Sequence, residues 1–370
     1  MADEATNGES GSPGTGDRGA ARRRALKITA WVLSAVVLLG GAGLGYVWTK
    51  LDGNLSDIDI DAALGSDRPE DLDNGSTDIL VLGSDSRKGA NKKYGSAGES
   101  GSRSDTAMIV HIHEGRRKAT VVSIPRDTLV RRPACDRKDG EGTHPPARRA
   151  MFNEAYKIGG PACAVKTAEA VSGIRMDHYL EIDFTGFKEL VDELGGVELT
   201  TEERIKDKKS RLDLPPGTHV LDGEQALGLV RTRHAIGNGS DLGRIHLQQA
   251  FLKALLDQVG EIGLFSDPGK LYGVADTATR ALTTDSGLAG VKKLLDFSRS
   301  MREIGSEDLE MITLPVEYDP EDGNRVVPLK DKTRTVWDAL RRDRPVPDSA
   351  TEGSAGDQAR EDSDEVLGGS

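Results

Sequence analysis

Aromatic side chains are scarce in this chain: its 370 residues include three Trp, six Tyr and six Phe. So few rings argue against a stacking platform for sugars as the main device of specificity. With 44 glycines and 30% charged residues beside them, the folded part must be shorter than the chain. Cysteine is nearly absent too. Cys135 and Cys163 stand alone, with no CxxC and no His/Cys spacing of the kind that holds zinc. The seven histidines contain no HExxH, and neither a Walker A loop nor a GxGxxG fingerprint occurs, which argues against a bound nucleotide. Ser86 and Ser104 lack a GxSxG or SxxK context, which weakens a serine-hydrolase reading. The net charge of −12 is local: residues 51–76 carry −7, residues 343–370 carry −6 and residues 1–27 carry +1. Since the remainder is close to neutral, no nucleic-acid partner is expected.

Polar residues 1–27 read as a disordered cytoplasmic tail ending in Arg22-Arg23-Arg24. The uncharged run 28–48 follows, with Trp31, Tyr46 and Trp48 near its ends. Twenty-one helical residues span about 30 Å, the thickness of a bilayer core. The run is longer than a signal-peptide core, so we expect an uncleaved transmembrane helix; a cleavable signal is the alternative. Basic residues before it and acidic residues after it orient the N-terminus to the cytoplasm and the rest of the chain outside. Outside the cytoplasm a disulfide persists. A Cys135–Cys163 bond would close a 28-position loop worth about 3–4 kcal/mol, two buried thiols being the alternative.

Residues 49–76 read as an acidic linker, and residues 77–342 as the folded extracytoplasmic domain. Strands are expected at 78–82, 107–112, 119–124, 179–182 and 311–314. Residues 131–150 read as a basic, proline-containing loop. Helices are expected near 162–171, 184–194 (stopped by Gly195), 223–229 (capped by Asp222), 242–259, 271–281, 286–302 and 336–340. Residues 343–370 are acidic and rich in Gly and Ser, and read as a disordered tail.

The chemistry concentrates at element ends. Arg87, Arg103, Arg126, Arg231, Arg233 and Arg244 all flank expected strand or helix ends, and six converging guanidiniums would hold several phosphate charges. Within Arg231–Gln249 the basic residues outnumber the single acid, Asp241, so they would repel one another without an anion between them. Asp85 and Asp105 sit beside strand ends, and two carboxylates with phosphate oxygens form a ligand set that suits Mg²⁺. Taken singly, each aspartate also suits a turn, and each arginine a surface ion pair.

In their order, the segments TDILVLGSDSR, SRSDTAMIVHI, VVSIPRDTLV, FNEAYKIGG, LDGEQALGLVRTRH and SDLGRIHLQQ resemble the extracytoplasmic domain of the LytR–CpsA–Psr family. The resemblance implies an α/β fold, a mixed central sheet with helices on both faces around a greasy lipid pocket. It also implies transfer of a glycopolymer from a polyprenyl-pyrophosphate carrier to peptidoglycan through a new phosphodiester bond. By the same resemblance Asp85 and Asp105 would hold Mg²⁺ on the pyrophosphate. Arg103, Arg126, Arg231, Arg233, Arg244 and Gln248 would bind it, and Asp241 would orient the arginines or act as a base. Many relatives have an arginine where this chain has Leu247, so one pyrophosphate contact is missing or passes to His246. Two other functions fit the same residues: a pyrophosphatase with water as acceptor, and an anchored lipid-phosphate-binding regulator without turnover.

Overall fold

The chain divides into two compact units, residues 1–53 and 54–370. A computed structural model describes residues 45–66, 68–84, 104–138, 140–233, 241–263 and 266–367. In the first unit residues 45–53 are described and are helical. The expected span 28–48 therefore lies almost wholly outside the described residues. Among the described residues, no helix is long and apolar enough to cross a membrane.

The second unit is built on a mixed sheet with seven strands among the described residues: β1 (Ser56–Ile58), β2 (Thr77–Ser84), β3 (Ser104–Ile112), β4 (Ala119–Ser123), β5 (His178–Asp183), β6 (Leu282–Asp285) and β7 (Leu309–Thr313). Their order across the sheet is β1-β6-β5-β2-β3-β4-β7. β2 lies at the middle, antiparallel to β3 and parallel to β5. Its Asp-Ile-Leu-Val-Leu run suits a strand covered on both faces, and all of it but the partly buried Val81 is buried. The period of two then sorts the side chains. Leu80, Leu82, Ala107, Ile109 and Val122 join one apolar cluster, while Ile79, Met108, Ile112 and Val121 join another.

Helices cover both faces. Phe152, Val165 and Ala168 of α1 (Phe152–Ser172) pack in the first cluster, as does the final helix of the expected domain, which runs Lys330–Arg341. The second cluster takes Leu252 and Leu256 from the helix Asp241–Glu261 and Phe297 from the helix Val291–Ser300. In chain order these helices follow α2 (Phe184–Glu193) and α3 (Gly223–Arg231), so they are α4 (Asp241–Glu261), α5 (Pro268–Ala281), α6 (Val291–Ser300), α7 (Lys330–Arg341) and α8 (Ala355–Leu367). Asp222 caps α3 as expected, its carboxylate accepting from Gln225 N while Gln225 returns a bond to the cap backbone.

Three segments depart from the sequence reading. The expected linker 49–76 contributes β1, which pairs with β6, and buries Ile60 and Leu64 in the core. Its Arg68 forms a 2.6 Å ion pair with Glu169, both side chains being nearly inaccessible. Residues 131–150 are not a plain loop but nested hairpins, Leu129–Arg132 with Ala147–Met151 and Cys135–Asp136 with Thr143–His144. The tail 343–370, expected to be disordered, is folded through α8. Ser354, Ala355, Ser363 and Val366 are buried, and the Val366 carbonyl accepts from Glu202 N at 2.8 Å. The acidic composition of the tail hid a narrow inward face of small residues, which buries enough surface only because α4 and the strand Val197–Thr201 offer it a groove.

Cys135 and Cys163 are bonded, with their Cα atoms 5.4 Å apart. The bond staples the hairpin to α1 beside a break in the helix, where Gly160 takes φ 66° and Pro161 supplies no N–H. Gly159 allows the approach, since a Cβ there would meet Cys163 Cβ at 2.6 Å and the Asp136 carbonyl at 2.7 Å. Cys163→Ser is expected to lower the free energy of unfolding by about 3–4 kcal/mol, the loop-entropy value for this separation, in urea titrations against the unreduced parent.

Candidate functional site

The site lies at the ends of the central strands. β3 begins at Ser104-Asp105, β4 runs out into Pro125-Arg126-Asp127, α3 ends at Arg231, and α4 begins at Asp241. Strand ends gather chemistry because the sheet fixes their position while their last side chains escape the core. On α4, Arg244 and Gln248 are one turn apart and share a face that meets β3, whereas Leu247 and Phe251 point into a third apolar cluster.

Asp241 stands at the centre. Its Oδ1 is 2.7 Å from Arg244 Nη2, 3.5 Å from Arg126 Nε and 3.7 Å from Arg233 Nη2. Although these atoms are close, no donor among the described residues meets either carboxylate oxygen at a hydrogen-bonding angle, and both oxygens are buried. Arg126 donates to Asp105 Oδ1 at 2.6 Å and lies 3.3 Å from Asp127 Oδ2. Arg244 donates to the Asp105 carbonyl at 2.6 Å, with its Nε buried and unpartnered. Gln248 donates to Thr106 Oγ1 at 3.0 Å and to the Val230 carbonyl at 2.8 Å, so it ties α3, α4 and β3 together.

Electrostatics follow this geometry. Burial pushes the Asp105 carboxyl up, but Arg244, Arg126 and Arg233 more than offset it and hold Asp105 below the ordinary range. Burial opposes the charge on Arg126, yet Asp105, Asp241 and Asp127 raise its pKa. Arg233 goes the other way. Burial, with Arg244 and Arg126 beside it, lowers it to about 10 despite Asp241 and Asp105. It is the least neutralised cation of the group, and an arriving anion would relieve it.

The structure thus brings together Asp105, Arg126, Arg233, Asp241, Arg244 and Gln248. Asp85, Arg87 and Arg103 lie outside the described residues, as does His234. Arg231 is engaged differently, its guanidinium lying 4.8 Å from the centroid of the Phe184 ring. Two expectations about α4 are corrected. Leu247 is fully buried, so that position faces the core rather than the site, and His246 is bound to the Gly356 carbonyl at 2.9 Å, which commits it to the C-terminal segment. Ser104 donates its hydroxyl to the Thr106 carbonyl, a structural use.

Asp127 and Arg325 were missed. They are 3.6 Å apart and line two clefts. One, of about 390 Å³, also holds Arg233, Asp241 and Tyr318. The other, of about 260 Å³, holds Arg126, Asn153, Glu154 and Lys157. Asp127 had a sequence signal, its place beside Arg126 at a strand end; Arg325 had none, being about 200 positions from its partner in a turn otherwise rich in acid. Both clefts are lined mainly by polar and charged side chains; in the first, Leu242 and Val326 belong to the first apolar cluster.

Residues 47–342 match the model of the LytR_cpsA_psr family. The chain is 29% identical over 359 residues to the cell wall biosynthesis protein LcpA of Corynebacterium glutamicum, covering 88% of this chain and 67% of that one. It is 30% identical over 298 residues to the polyisoprenyl-teichoic acid–peptidoglycan teichoic acid transferase TagT of Bacillus subtilis, covering 77% and 84%. The solved structure of TagT bound to LI-WTA aligns with a TM-score of 0.53 at 27% identity over 75% of this chain and 94% of that one.

Two measurements test the electrostatic account. Arg233→Gln is expected to leave the thermal midpoint of the unliganded protein unchanged or higher, and to remove most of the rise given by inorganic pyrophosphate; a fall without ligand and a full rise with it would refute the role. Because the folded pKa of Asp105 is depressed, its stabilisation is complete above the unfolded value of about 3.9 and disappears as pH falls through the lower folded value. The stability difference between wild type and Asp105→Asn should therefore shrink below about pH 4 in acid titrations.

Proposed function

Because the chain belongs to the LytR–CpsA–Psr family, we propose that it transfers a glycopolymer of the teichoic acid kind from a polyprenyl-pyrophosphate carrier to peptidoglycan. The observation that carries this reading is the grouping of Arg126, Arg233 and Arg244 around Asp241 at the mouth of a polar cleft. In the reaction an acceptor oxygen of peptidoglycan bonds to the sugar-side phosphorus. The bridging P–O bond breaks and polyprenyl phosphate leaves, while the acceptor's proton passes to a base. Such a transfer needs positioning and charge neutralisation more than covalent help, and three guanidiniums supply both. Asp105, held ionised by its arginines, is a weak proton acceptor and suits the binding of cations better than the role of base.

Magnesium fits this donor set. Asp105 and Asp241 Oδ2, which is buried and meets no hydrogen-bond donor among the described residues, are hard oxygen donors, whereas Asp241 Oδ1 is committed to the arginines; Asp85 would follow directly on the end of β2. Bound there, the ion would neutralise pyrophosphate charge. The cleft lined by Arg126, Asn153 and Lys157, across the Asp127–Arg325 pair, suits the acceptor. Residues 28–48 would anchor the chain in the cell membrane, with the N-terminus cytoplasmic and this site on the outer side, where carrier and acceptor meet.

Arg126→Ala is expected to lower transfer by roughly 10²–10³-fold with an unchanged far-UV spectrum, as losing one stabiliser of developing charge does elsewhere. Full activity in that variant would remove the assignment. EDTA should abolish transfer and Mg²⁺ restore it. Pyrophosphate cleavage at a rate indifferent to peptidoglycan would instead identify a hydrolase. Carbonate extraction should leave the full chain in the membrane fraction and release a chain lacking residues 1–50.

A further inference from the structure

A polar row crosses the other end of the same sheet. Asp78 on β2, His111 on β3, Thr120 on β4 and Glu310 on β7 are paired in register from strand to strand. The period of two puts them on the face that otherwise carries Leu80, Ile109, Val122 and Ile312. His113, two residues on, shares that face, and Asp343 closes over the pair from the end of α7. His111 stands six positions from Asp105 along β3, about 20 Å of strand, so this cluster is distinct from the arginine site.

The hydrogen bonds decide which ring nitrogens are bare. His111 Nδ1 is 2.8 Å from Asp78 Oδ1, and a carboxylate accepts, so Nδ1 carries a proton. Thr120 spends its one hydroxyl proton on Glu310 Oε2, so its oxygen accepts from His113 Nε2 at 3.0 Å. In the neutral rings the remaining nitrogens, His111 Nε2 and His113 Nδ1, therefore hold lone pairs. Both are aimed at one acceptor, Asp343 Oδ1, at 3.0 and 2.6 Å. Three lone pairs converging in a largely buried place repel one another unless a proton or a metal ion lies between them; without a metal, and against the effect of burial, Asp78 and Asp343 favour the proton and raise the pKa of His111. All three donor atoms lie within 4.8 Å of one another.

We propose that His111, His113 and Asp343 form a binding site for a divalent cation of the zinc type, which clasps the segment after α7 to the central sheet. The donor set is two imidazoles and one carboxylate, and it leaves a fourth position for water. Each histidine already has its outer N–H anchored, His111 on a carboxylate and His113 on a hydroxyl backed by Glu310, the arrangement that fixes metal-ligating imidazoles. Donor atoms in a tetrahedral zinc shell stand roughly 3.3 Å apart, so each imidazole nitrogen must draw back from Asp343 Oδ1 by less than about 1 Å, and the two nitrogens, within 4.8 Å of each other, must close up by at most about 1.5 Å. The other oxygen of Asp343 accepts from Glu114 N at 3.1 Å, which holds the carboxylate in place.

The test uses the full chain in detergent, stripped with a chelator and titrated with Zn²⁺ alone. Wild type is expected to take up one zinc per chain tightly, to gain thermal stability on doing so, and to give an intense visible spectrum with Co²⁺ in its place. Asp343→Asn keeps the shape of the side chain, and asparagine tolerates the φ of 50° found there. It should lose all three signals while keeping its far-UV spectrum and its transferase activity. Asp78→Asn, which only loosens the hold on His111, should weaken zinc binding by about 10–100-fold. Equal zinc uptake by wild type and Asp343→Asn would overturn the proposal, as would no stoichiometric uptake by wild type. So would uptake that survives Asp343→Asn but disappears in Asp241→Asn, because that would put the metal among the arginines.

Discussion

One carboxylate, Asp241, lets three arginines share a small space before any substrate arrives. Two guanidiniums 4 Å apart repel by about 4 kcal/mol at an effective dielectric constant of 20, and a third adds to the cost. Asp241 offsets part of that from the first turn of α4, where the helix dipole also favours a negative charge. The compensation is incomplete: burial first, and then Arg244 and Arg126 beside it, keep the pKa of Arg233 lowered. A site balanced in this way is organised without an anion and is still hungry for one. The rigid parts around it serve that balance: Gln248 bridges α3, α4 and β3, and Arg244 is pinned to the Asp105 backbone.

The same strand, β3, has opposite chemistry at its two ends. At Asp105 guanidiniums gather and await negative charge. At His111 and His113 lone pairs gather and await positive charge. Between them Ala107 and Ile109 are buried in the core, and the length of strand, about 20 Å, is what keeps the two clusters electrostatically apart. The distal cluster also explains a feature of the fold, a row of polar side chains on a sheet face that is otherwise apolar. Such groups are costly to bury unless each is satisfied. Here the row is chained by hydrogen bonds from Asp78 to Glu310, with Asp343, the residue from which the C-terminal segment departs, as the link between the two histidines.

Much of the sheet could be read from local pattern. The Asp-Ile-Leu-Val-Leu run, the strands around Ile109 and Val121, and the cap at Asp222 all announce themselves within a few residues. Arg244 and Gln248 could be read in the same way, because helical spacing alone puts them on one face. What escaped is long-range. β1 looked like linker because three residues of strand carry no period of their own and gain meaning only beside β6. α8 looked disordered because, apart from Val366, its buried face is made of alanine, glycine and serine, residues whose burial depends on the neighbour provided. His111 and His113 carried no motif, since their third partner is 230 positions away.

By itself, then, the sequence determined the residue types of the site and the elements that carry them: arginines and aspartates at strand and helix ends, and two cysteines able to meet. Local sterics and periodicity act over a few residues, and these features need nothing more. The tertiary structure alone decided which charges face one another. It put Asp241 among three guanidiniums, turned Leu247 into the core, gave His246 to the C-terminal segment, and brought Arg325 to Asp127. Coulomb interaction falls off with distance through space and takes no account of separation along the chain, so only the folded arrangement could settle those pairings.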